Sequence, residues 1–218
     1  AIVAVVSIVY GALVAFGQRH LKRRIAYTSV NHMGYTVLGI AAAGALLGGE
    51  EEARNLALSG ATVEMVAHGL ITGALFLIAG SFWQRGEEYD LGAYGGLAGK
   101  TPQLTAATTV AAFASLGLPG LAGFVAEFQI FVGTFSVFPV LAAIGLLGVL
   151  ITAALFLQLL QEVFLGELPD RWSDLTDLVP REAVGLGVLL ALTIVIGVWP
   201  AWLLDVVRDG TAWLIGTG

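Results

Sequence analysis

The sequence has no cysteine and few charged residues. Without cysteine it can form no disulfide, no thiolate-ligated iron–sulfur cluster and no cysteine nucleophile. Charged residues make up 12% of the chain, about half the fraction typical of a soluble domain, whereas 57% of the residues are hydrophobic. The net charge is −6 and no basic tract is interleaved with aromatic residues, so nucleic acid is not an expected partner. The composition therefore predicts an integral membrane protein.

Two further absences concern lysine and the start of the chain. The only lysines, Lys22 and Lys100, lie outside the apolar segments. A proton path that alternates carboxylates with buried cations therefore needs a lysine from beyond this sequence. The chain starts at Ala1 inside an apolar run, with neither a charged region nor a cleavage site before it. This pattern is not a signal peptide, and we expect that a preceding part of the chain is missing.

Long apolar segments predict an all-α, polytopic protein with about six membrane-spanning helices, since one span needs about 20 apolar residues. The predicted spans are Ile2–Phe16, residues 25–47, residues 56–82, residues 103–138, Pro139–Phe164 and residues 183–199. Residues 48–55 are predicted to form a short acidic loop, and residues 200–218 a tail that contains an interfacial helix. The first span is short, which a truncated first helix would explain.

Tryptophan and basic residues are distributed along these spans as they are in membrane proteins. All five tryptophans lie at span ends or in loops: Trp83, Trp172, Trp199, Trp202 and Trp213. Of the ten lysine and arginine residues, only Arg54 and Arg208 fall on the side opposite to loops 18–24, 84–101 and 165–182. The positive-inside rule then places these three loops in the cytoplasm.

The segment 103–138 is too long for one span and contains the sequence LGLPGLAGFVAEF. Pro119 lacks a backbone N–H group, and Gly117, Gly120 and Gly123 lower helix propensity, so we expect one span broken at residues 116–120. Glu127 follows the break. A carboxylate beside a broken helix at bilayer depth is typical of an ion pathway, although a structural carboxylate that caps a helix end is an alternative.

Other polar side chains lie inside the predicted spans. Glu64 and His68 are four residues apart and share one helix face, and histidine suits a proton relay. His32 follows three polar neighbours, Thr28, Ser29 and Asn31. These groups either carry protons or hold helices together by hydrogen bonds. No HExxH motif and no cysteine accompany the histidines, so we expect no metal site.

Four segments together resemble a known family. YGALVAFGQRHLKRRIAYTSVNHMGY, VEMVAHGLITGALFLIAG, GGLAGKTP and ASLGLPGLAGFVAEFQIFVGTF resemble the second half of the antiporter-like membrane subunits of respiratory complex I and of Mrp-type cation/proton antiporters. The resemblance implies spans nine to fourteen of a fourteen-span subunit. Residues 1–164 would form one five-helix repeat of an inverted-repeat fold, with its first helix truncated. Residues 165–218 would form a cytoplasmic loop, the last span and a tail.

Glu127 is the residue that separates branches of this family, because the equivalent position is lysine in the NuoL-type and NuoN-type subunits and glutamate in the NuoM-type (NdhD-type) subunit. The resemblance implies that Glu127, His68 and His32 are steps of a central hydrophilic axis. Two positions depart from the pattern of this family. Glu64 stands where a neutral polar residue is common, and Gln161 and Glu162 stand where a basic pair is often found.

The resemblance thus implies a proton-translocating membrane subunit of NADH:quinone oxidoreductase, part of an electron transport chain, in a bacterial-type plasma membrane. It implies no redox centre in this chain, because NADH, FMN, iron–sulfur clusters and quinone would be held by other subunits. The expected partners are the lipid bilayer, protons, and NuoL-type and NuoN-type neighbours. The alternatives are a subunit of an Mrp-type Na⁺/H⁺ antiporter or membrane-bound hydrogenase complex, and a membrane scaffold that conducts nothing.

Overall fold

A computed structural model describes residues 1–45 and 50–212, and within these ranges the chain is helical without a β-strand. The α-helices are α1 (Ile2–Phe16), α2 (Leu21–Ala45), α3 (Glu51–Gly86), α4 (Pro102–Ser115), α5 (Ala122–Phe135), α6 (Pro139–Phe164), α7 (Pro180–Val198) and α8 (Ala201–Ala212). Three short 3₁₀ helices lie in the loops, at Leu91–Ala93, Leu97–Gly99 and Asp170–Trp172. The predicted all-α class is confirmed.

The six predicted spans correspond to α1, α2, α3, the pair α4 and α5, α6, and α7. Within the described ranges three helices are long and apolar enough to cross a membrane by length and composition: α3, α6 and α7. Helices α1 and α5 are apolar but shorter. The limits predicted for the first span and for Pro139–Phe164 agree with the structure.

Several predicted boundaries are wrong, mostly because the helix is longer than predicted. Helix α2 starts at Leu21 rather than at residue 25, whereas α5 ends at Phe135 rather than at residue 138. Residues 48–55 are not a loop throughout, because α3 starts at Glu51, where two acidic residues in the first turn complement the helix dipole. At its other end α3 continues to Gly86, three residues into the predicted loop 84–101. Helix α7 starts at Pro180 rather than at residue 183, since proline fits the first turn of a helix.

Helix α3 is the central element, because α2 and α5 pack along it. It has 36 residues and is about 54 Å long at about 1.5 Å per residue, so it extends beyond a hydrocarbon core of about 30 Å. Gly60 allows α5 to approach closely, since a Cβ atom there would lie 2.7 Å from the backbone N of Ile130. This contact brings the first half of α3 beside the second half of α5.

The predicted break between α4 and α5 is present at residues 116–121. Gly117 ends α4 with a left-handed φ of +73°. Its N–H donates to Ala114 O at 3.4 Å, and the N–H of Leu118 donates to Phe113 O at 3.0 Å. These two bonds form a Schellman motif. Pro119 follows directly and prevents the helix from continuing.

Other helices cover this break. A Cβ atom at Gly123 would overlap with the carbonyl oxygen of Ala114, so the first turn of α5 lies directly against α4. A Cβ atom at Gly197 would likewise overlap with the backbone of Gly120 and Leu121. The end of α7 therefore packs directly against the broken segment. Irregular backbone at bilayer depth needs such cover, because lipid offers no hydrogen-bond partner.

Loops 18–24, 84–101 and 165–182 pack against one another at one end of the helices. The N–H of Leu21 donates to Tyr89 O at 2.8 Å. Arg85 Nη2 lies 2.6 Å from Glu182 Oε2, and Trp172 Nε1 donates to Ala93 O at 2.6 Å. The three loops that carry most of the basic residues therefore lie on the same side of the molecule.

The carboxyl group of Glu88, in these loops, accepts hydrogen bonds that lower its pKa. Glu88 Oε1 accepts the N–H groups of Tyr89 at 2.8 Å and Asp90 at 2.9 Å. These donors stabilise the charged form, so they lower the pKa of Glu88.

The tryptophans fit the predicted aromatic belt only in part. Trp83, Trp199 and Trp202 are exposed at helix ends. Trp172, in contrast, is buried and stacks on Tyr94 within the packed loops, so it stabilises the loops and does not face lipid. Trp213 lies outside the described residues. The predicted tail helix is α8, whose Val207 packs against α3 and α5.

Candidate functional site

His32 lies where three helices meet and has a side-chain partner on each of its two neighbours. It belongs to α2 and is 4% exposed. Its Nδ1 lies 3.1 Å from Glu64 Oε1 on α3, and its Nε2 lies 3.2 Å from Ser115 Oγ on α4. Both ring nitrogens are therefore engaged at once. The histidine connects a carboxyl group to the last residue before the helix break.

His68 lies beside His32 on α3 and is half-buried. Its Nε2 is 3.0 Å from Ser29 Oγ on α2, and Thr72 Oγ1, one turn further along α3, is 3.2 Å from the ring nitrogens. The two imidazole rings are 5.3 Å apart between centroids. The order of polar groups is thus Ser29, His68, His32 and Glu64.

Glu64 is buried, with 1% of its surface exposed. Its Oε1 faces His32, but its Oε2 has no hydrogen-bond partner among residues 1–45 and 50–212. A buried polar oxygen without a partner costs about 1–3 kcal/mol. Such an oxygen is therefore a strong acceptor for a proton or for a cation.

Glu127, on α5, occupies the space beside the helix break. Its carboxyl group lies where a Cβ atom of residue 117 would be, so only glycine fits at Gly117. Glu127 is 6% exposed, and its carboxyl group is close enough to that of Glu64 for a coulombic interaction. The close contact of α3 with α5 at Gly60, one turn before Glu64, sets this proximity.

Two of the predicted site residues lie elsewhere. Thr28 donates its hydroxyl to Ile25 O at 2.7 Å, within its own helix. Asn31 donates to Ile8 O on α1 at 2.9 Å and accepts from Thr152 on α6 at 3.3 Å. Both side chains thus stabilise α2 and its packing, and they do not join the histidines.

Sequence reasoning missed two hydroxyl partners and one contact. Thr72 carries a signal, because it follows His68 at a spacing of four residues and so shares its helix face. Ser115 is marked only by its place at the end of α4. The contact between His32 and Glu64 has no local signal, because the two residues lie on different helices.

The prediction of no metal site considered only ligands that lie close together in the sequence. It relied on a local motif, whereas the structure assembles a possible ligand set from two helices. His32, Glu64 and His68 each offer a ligand atom, and these atoms lie within 4.8 Å of one another. An HExxH pattern would have found only ligands on one helix.

A second polar group lies at the inner end of α6. Gln158 Nε2 donates to Glu162 Oε1 at 2.7 Å. Arg24 is buried nearby and donates to the carbonyl oxygens of Gln18 at 2.9 Å and Phe16 at 3.4 Å. Arg24, Gln158 and Glu162 line a cavity of about 400 Å³. The buried Arg24 thus also makes contacts that stabilise this end of the molecule.

Comparison with known proteins identifies the family to which the chain belongs. The family model described as "NADH:quinone oxidoreductase/Mrp antiporter, TM" matches residues 1–152. NAD(P)H-quinone oxidoreductase chain 4 of Prochlorococcus marinus (strain MIT 9303) is 38% identical over 216 residues, which cover 94% of this chain and 36% of that protein. NADH-quinone oxidoreductase subunit M of Mycobacterium tuberculosis (strain CDC 1551 / Oshkosh) is 37% identical over 205 residues, covering 94% and 35%.

A solved structure shares the fold. A chain of respiratory complex I from Thermus thermophilus with bound NADH superposes with a TM-score of 0.84 and 33% identity, over 98% of this chain and 44% of that chain. The present chain thus spans well under half of the length of these relatives. Their names confirm the predicted resemblance to the NuoM-type branch. The chain belongs to the transmembrane family of the NADH:quinone oxidoreductases and Mrp antiporters.

Proposed function

We propose that this chain is the proton-translocating second half of the NuoM-type membrane subunit of an NADH:quinone oxidoreductase. The observation that carries the proposal is the position of His32. Its two ring nitrogens contact Glu64 and Ser115 on two different helices. Imidazole can accept a proton at one nitrogen and release one from the other, near physiological pH.

The proposed path runs along the line of buried polar groups. A proton reaches His68, passes to His32, and from there to Glu64 and Glu127. The transfer between the histidines spans rings 5.3 Å apart, so it requires a reorientation of one ring or a bridging water molecule. Within residues 1–45 and 50–212, the side-chain hydrogen bonds of the half-buried His68 go only to the hydroxyls of Ser29 and Thr72. It is therefore the ring that we expect to move.

Glu127 is the outward step of the path. It lies on the α5 side of the break, and the three loops that carry most of the basic residues lie at the opposite end of α4. With those loops in the cytoplasm of a bacterial-type plasma membrane, Glu127 lies on the outer side of the break. A proton on Glu127 would leave toward the outer face.

The relatives' names and the resemblance support the rest of the proposal. Residues 1–164 form one five-helix repeat, and residues 165–218 form the cytoplasmic loop, the last span and the tail. Electron transfer belongs to other subunits, which hold the NADH, FMN, iron–sulfur and quinone sites, so this chain moves protons without local redox chemistry. NuoL-type and NuoN-type subunits are its neighbours in the membrane.

Glu127→Gln in the full-length subunit of the assembled complex tests the proposal. The amide keeps the size of the side chain but cannot carry a proton, so pumping in sealed vesicles should fall to the level of uncoupled vesicles while the complex still assembles. Glu52→Gln, an exposed glutamate at the start of α3, is the matched control and should pump normally. Wild-type pumping and electron transfer in Glu127→Gln would refute the relay.

The same vesicles separate the two branches of the family. A subunit of an oxidoreductase pumps protons only when an electron donor and quinone are supplied. Sodium-driven proton movement without either would instead assign the chain to an Mrp-type antiporter.

A further inference from the structure

We propose that His32, Glu64 and His68 form a binding site for a divalent transition-metal ion of the Zn²⁺ type. Their ligand atoms lie within 4.8 Å of one another and come from two packed helices. The set of two imidazoles and one carboxylate leaves one position of a four-coordinate ion open to water.

Two of the three ligands already have the required spacing. Ligands bound to Zn²⁺ at about 2.0–2.1 Å in a tetrahedral arrangement are about 3.3 Å apart. His32 Nδ1 and Glu64 Oε1 are 3.1 Å apart. An ion could therefore replace the hydrogen bond between them with little movement of either helix.

The third ligand needs a small movement. A separation of up to 4.8 Å exceeds the tetrahedral spacing by about 1.5 Å. His68 is half-buried, and its contacts are hydroxyl groups on α2 and on its own helix. A change of side-chain rotamer can supply this distance, because hydroxyl partners rotate to follow the ring.

The donor chemistry favours a transition metal over the hard cations. Imidazole suits Zn²⁺, Cu²⁺ and Ni²⁺, whereas Ca²⁺ and Mg²⁺ prefer ligand sets made of oxygen. Glu64 Oε2 supplies an independent indication, since this buried oxygen has no hydrogen-bond partner within the described part of the chain. Glu127 adds a second carboxyl group close to Glu64. Two carboxyl groups favour the binding of a doubly charged cation.

The surrounding hydroxyls fit the role of outer partners. A histidine that binds a metal through one nitrogen usually donates a hydrogen bond from the other. Ser115 Oγ is placed to accept from Nε2 of His32, which leaves Nδ1 for the metal. Ser29 Oγ can accept from His68 in the same way. Both rings would thus be fixed in the tautomer that a metal requires.

Metal binding and proton transfer would use the same atoms. A metal ion on these nitrogens would exclude protons from them, so it should inhibit pumping. That inhibition rests on the proposed function, whereas binding of the metal does not.

The experiment uses the purified complex that contains the full-length subunit. Complexes are stripped with a chelator, exposed to Zn²⁺ and washed, and the retained zinc is measured by mass spectrometry and by X-ray absorption at the zinc edge. Parent, His68→Gln and Glu64→Gln complexes are compared. His20→Gln is the matched control, because His20 packs on Tyr89 in the loops, away from the cluster.

We expect His68→Gln and Glu64→Gln complexes to retain one zinc ion fewer than parent and His20→Gln complexes. Their X-ray absorption spectra should also lose the scattering from the histidine ligands of that ion. Ca²⁺ and Mg²⁺ should show no such difference. Equal zinc retention in all four complexes would overturn the site. Thr28→Val tests for distortion, since it changes α2 beside the cluster, leaves all three ligands and their hydroxyl partners in place, and should retain the ion.

Pumping in the same variants keeps the two proposals apart. Loss of zinc with normal pumping in His68→Gln would support the metal site and remove His68 from the relay. Loss of pumping with unchanged zinc would support the relay and overturn the metal site.

Discussion

Helix α2 has polar side chains on two faces, and the two faces meet different surroundings. Ser29 and His32 face α3 and α4, where they contact other side chains that can exchange protons. Thr28 and Asn31 contact backbone carbonyls and a threonine hydroxyl. Adjacent residues thus take opposite roles, because each step along a helix turns the side chain by about 100°. One face carries the candidate proton-carrying groups, and the other stabilises the helix and its packing.

Gly117→Ala should have the largest effect, since it damages the site and the fold together. Gly117 has a left-handed φ of +73°, which costs a non-glycine residue about 1–2 kcal/mol. Its new Cβ atom would also displace the carboxyl group of Glu127. We expect reduced assembly of the complex and strongly reduced pumping, measured by the yield of intact complex and by vesicle acidification.

Gly80→Ala is the control for that change. Gly80 lies on α3, and a Cβ atom there would meet nothing within 4 Å. Alanine should leave assembly and pumping unchanged or stabilise the helix by about 0.5–1 kcal/mol. Assembly and pumping of Gly117→Ala at the level of Gly80→Ala would show that the break does not need a glycine at this place.

Asn31→Ala should affect stability and leave proton transfer intact. It removes hydrogen bonds from α2 to α1 and α6, and each such bond between membrane helices contributes about 1 kcal/mol. The midpoint of thermal dissociation of the complex should fall, while protons pumped per electron stay at the parent value. A changed ratio at normal stability would place Asn31 on the proton path.

Thr28→Val should have the smallest effect. The hydroxyl of Thr28 bonds only within its own helix, and valine has nearly the same shape, so we expect a change in stability below about 1 kcal/mol. Thermal dissociation and pumping should both match the parent. A clear loss of pumping here would mean that the hydroxyl takes part in proton transfer.

Much of the fold could be predicted because its signals are local. Pro119 and the glycines around it mark the break, and Pro139 marks the start of α6. The limits of α1 and α6 follow from apolar runs that end at polar residues. Most of the boundaries that were wrong, at Leu21, Glu51, Gly86 and Pro180, are places where a helix continues past its apolar part.

The candidate site could be predicted residue by residue but not as an arrangement. His32, His68, Glu64 and Glu127 stand out because ionisable residues are rare inside spans. Their grouping depends on how α3 is rotated against α2 and on the close approach at Gly60, and neither has a local signal. The same limit explains why the contact between His32 and Glu64 was not predicted.

The most direct test of the account is the number of protons pumped per electron in His32→Gln complexes, with Asn31→Ala complexes beside them. Glutamine can keep hydrogen bonds to Glu64 and Ser115 but cannot relay a proton at neutral pH. We predict a strongly reduced ratio for His32→Gln in a stable complex, and a parent ratio for Asn31→Ala. A parent ratio in His32→Gln complexes would contradict the claim that the buried histidine carries protons.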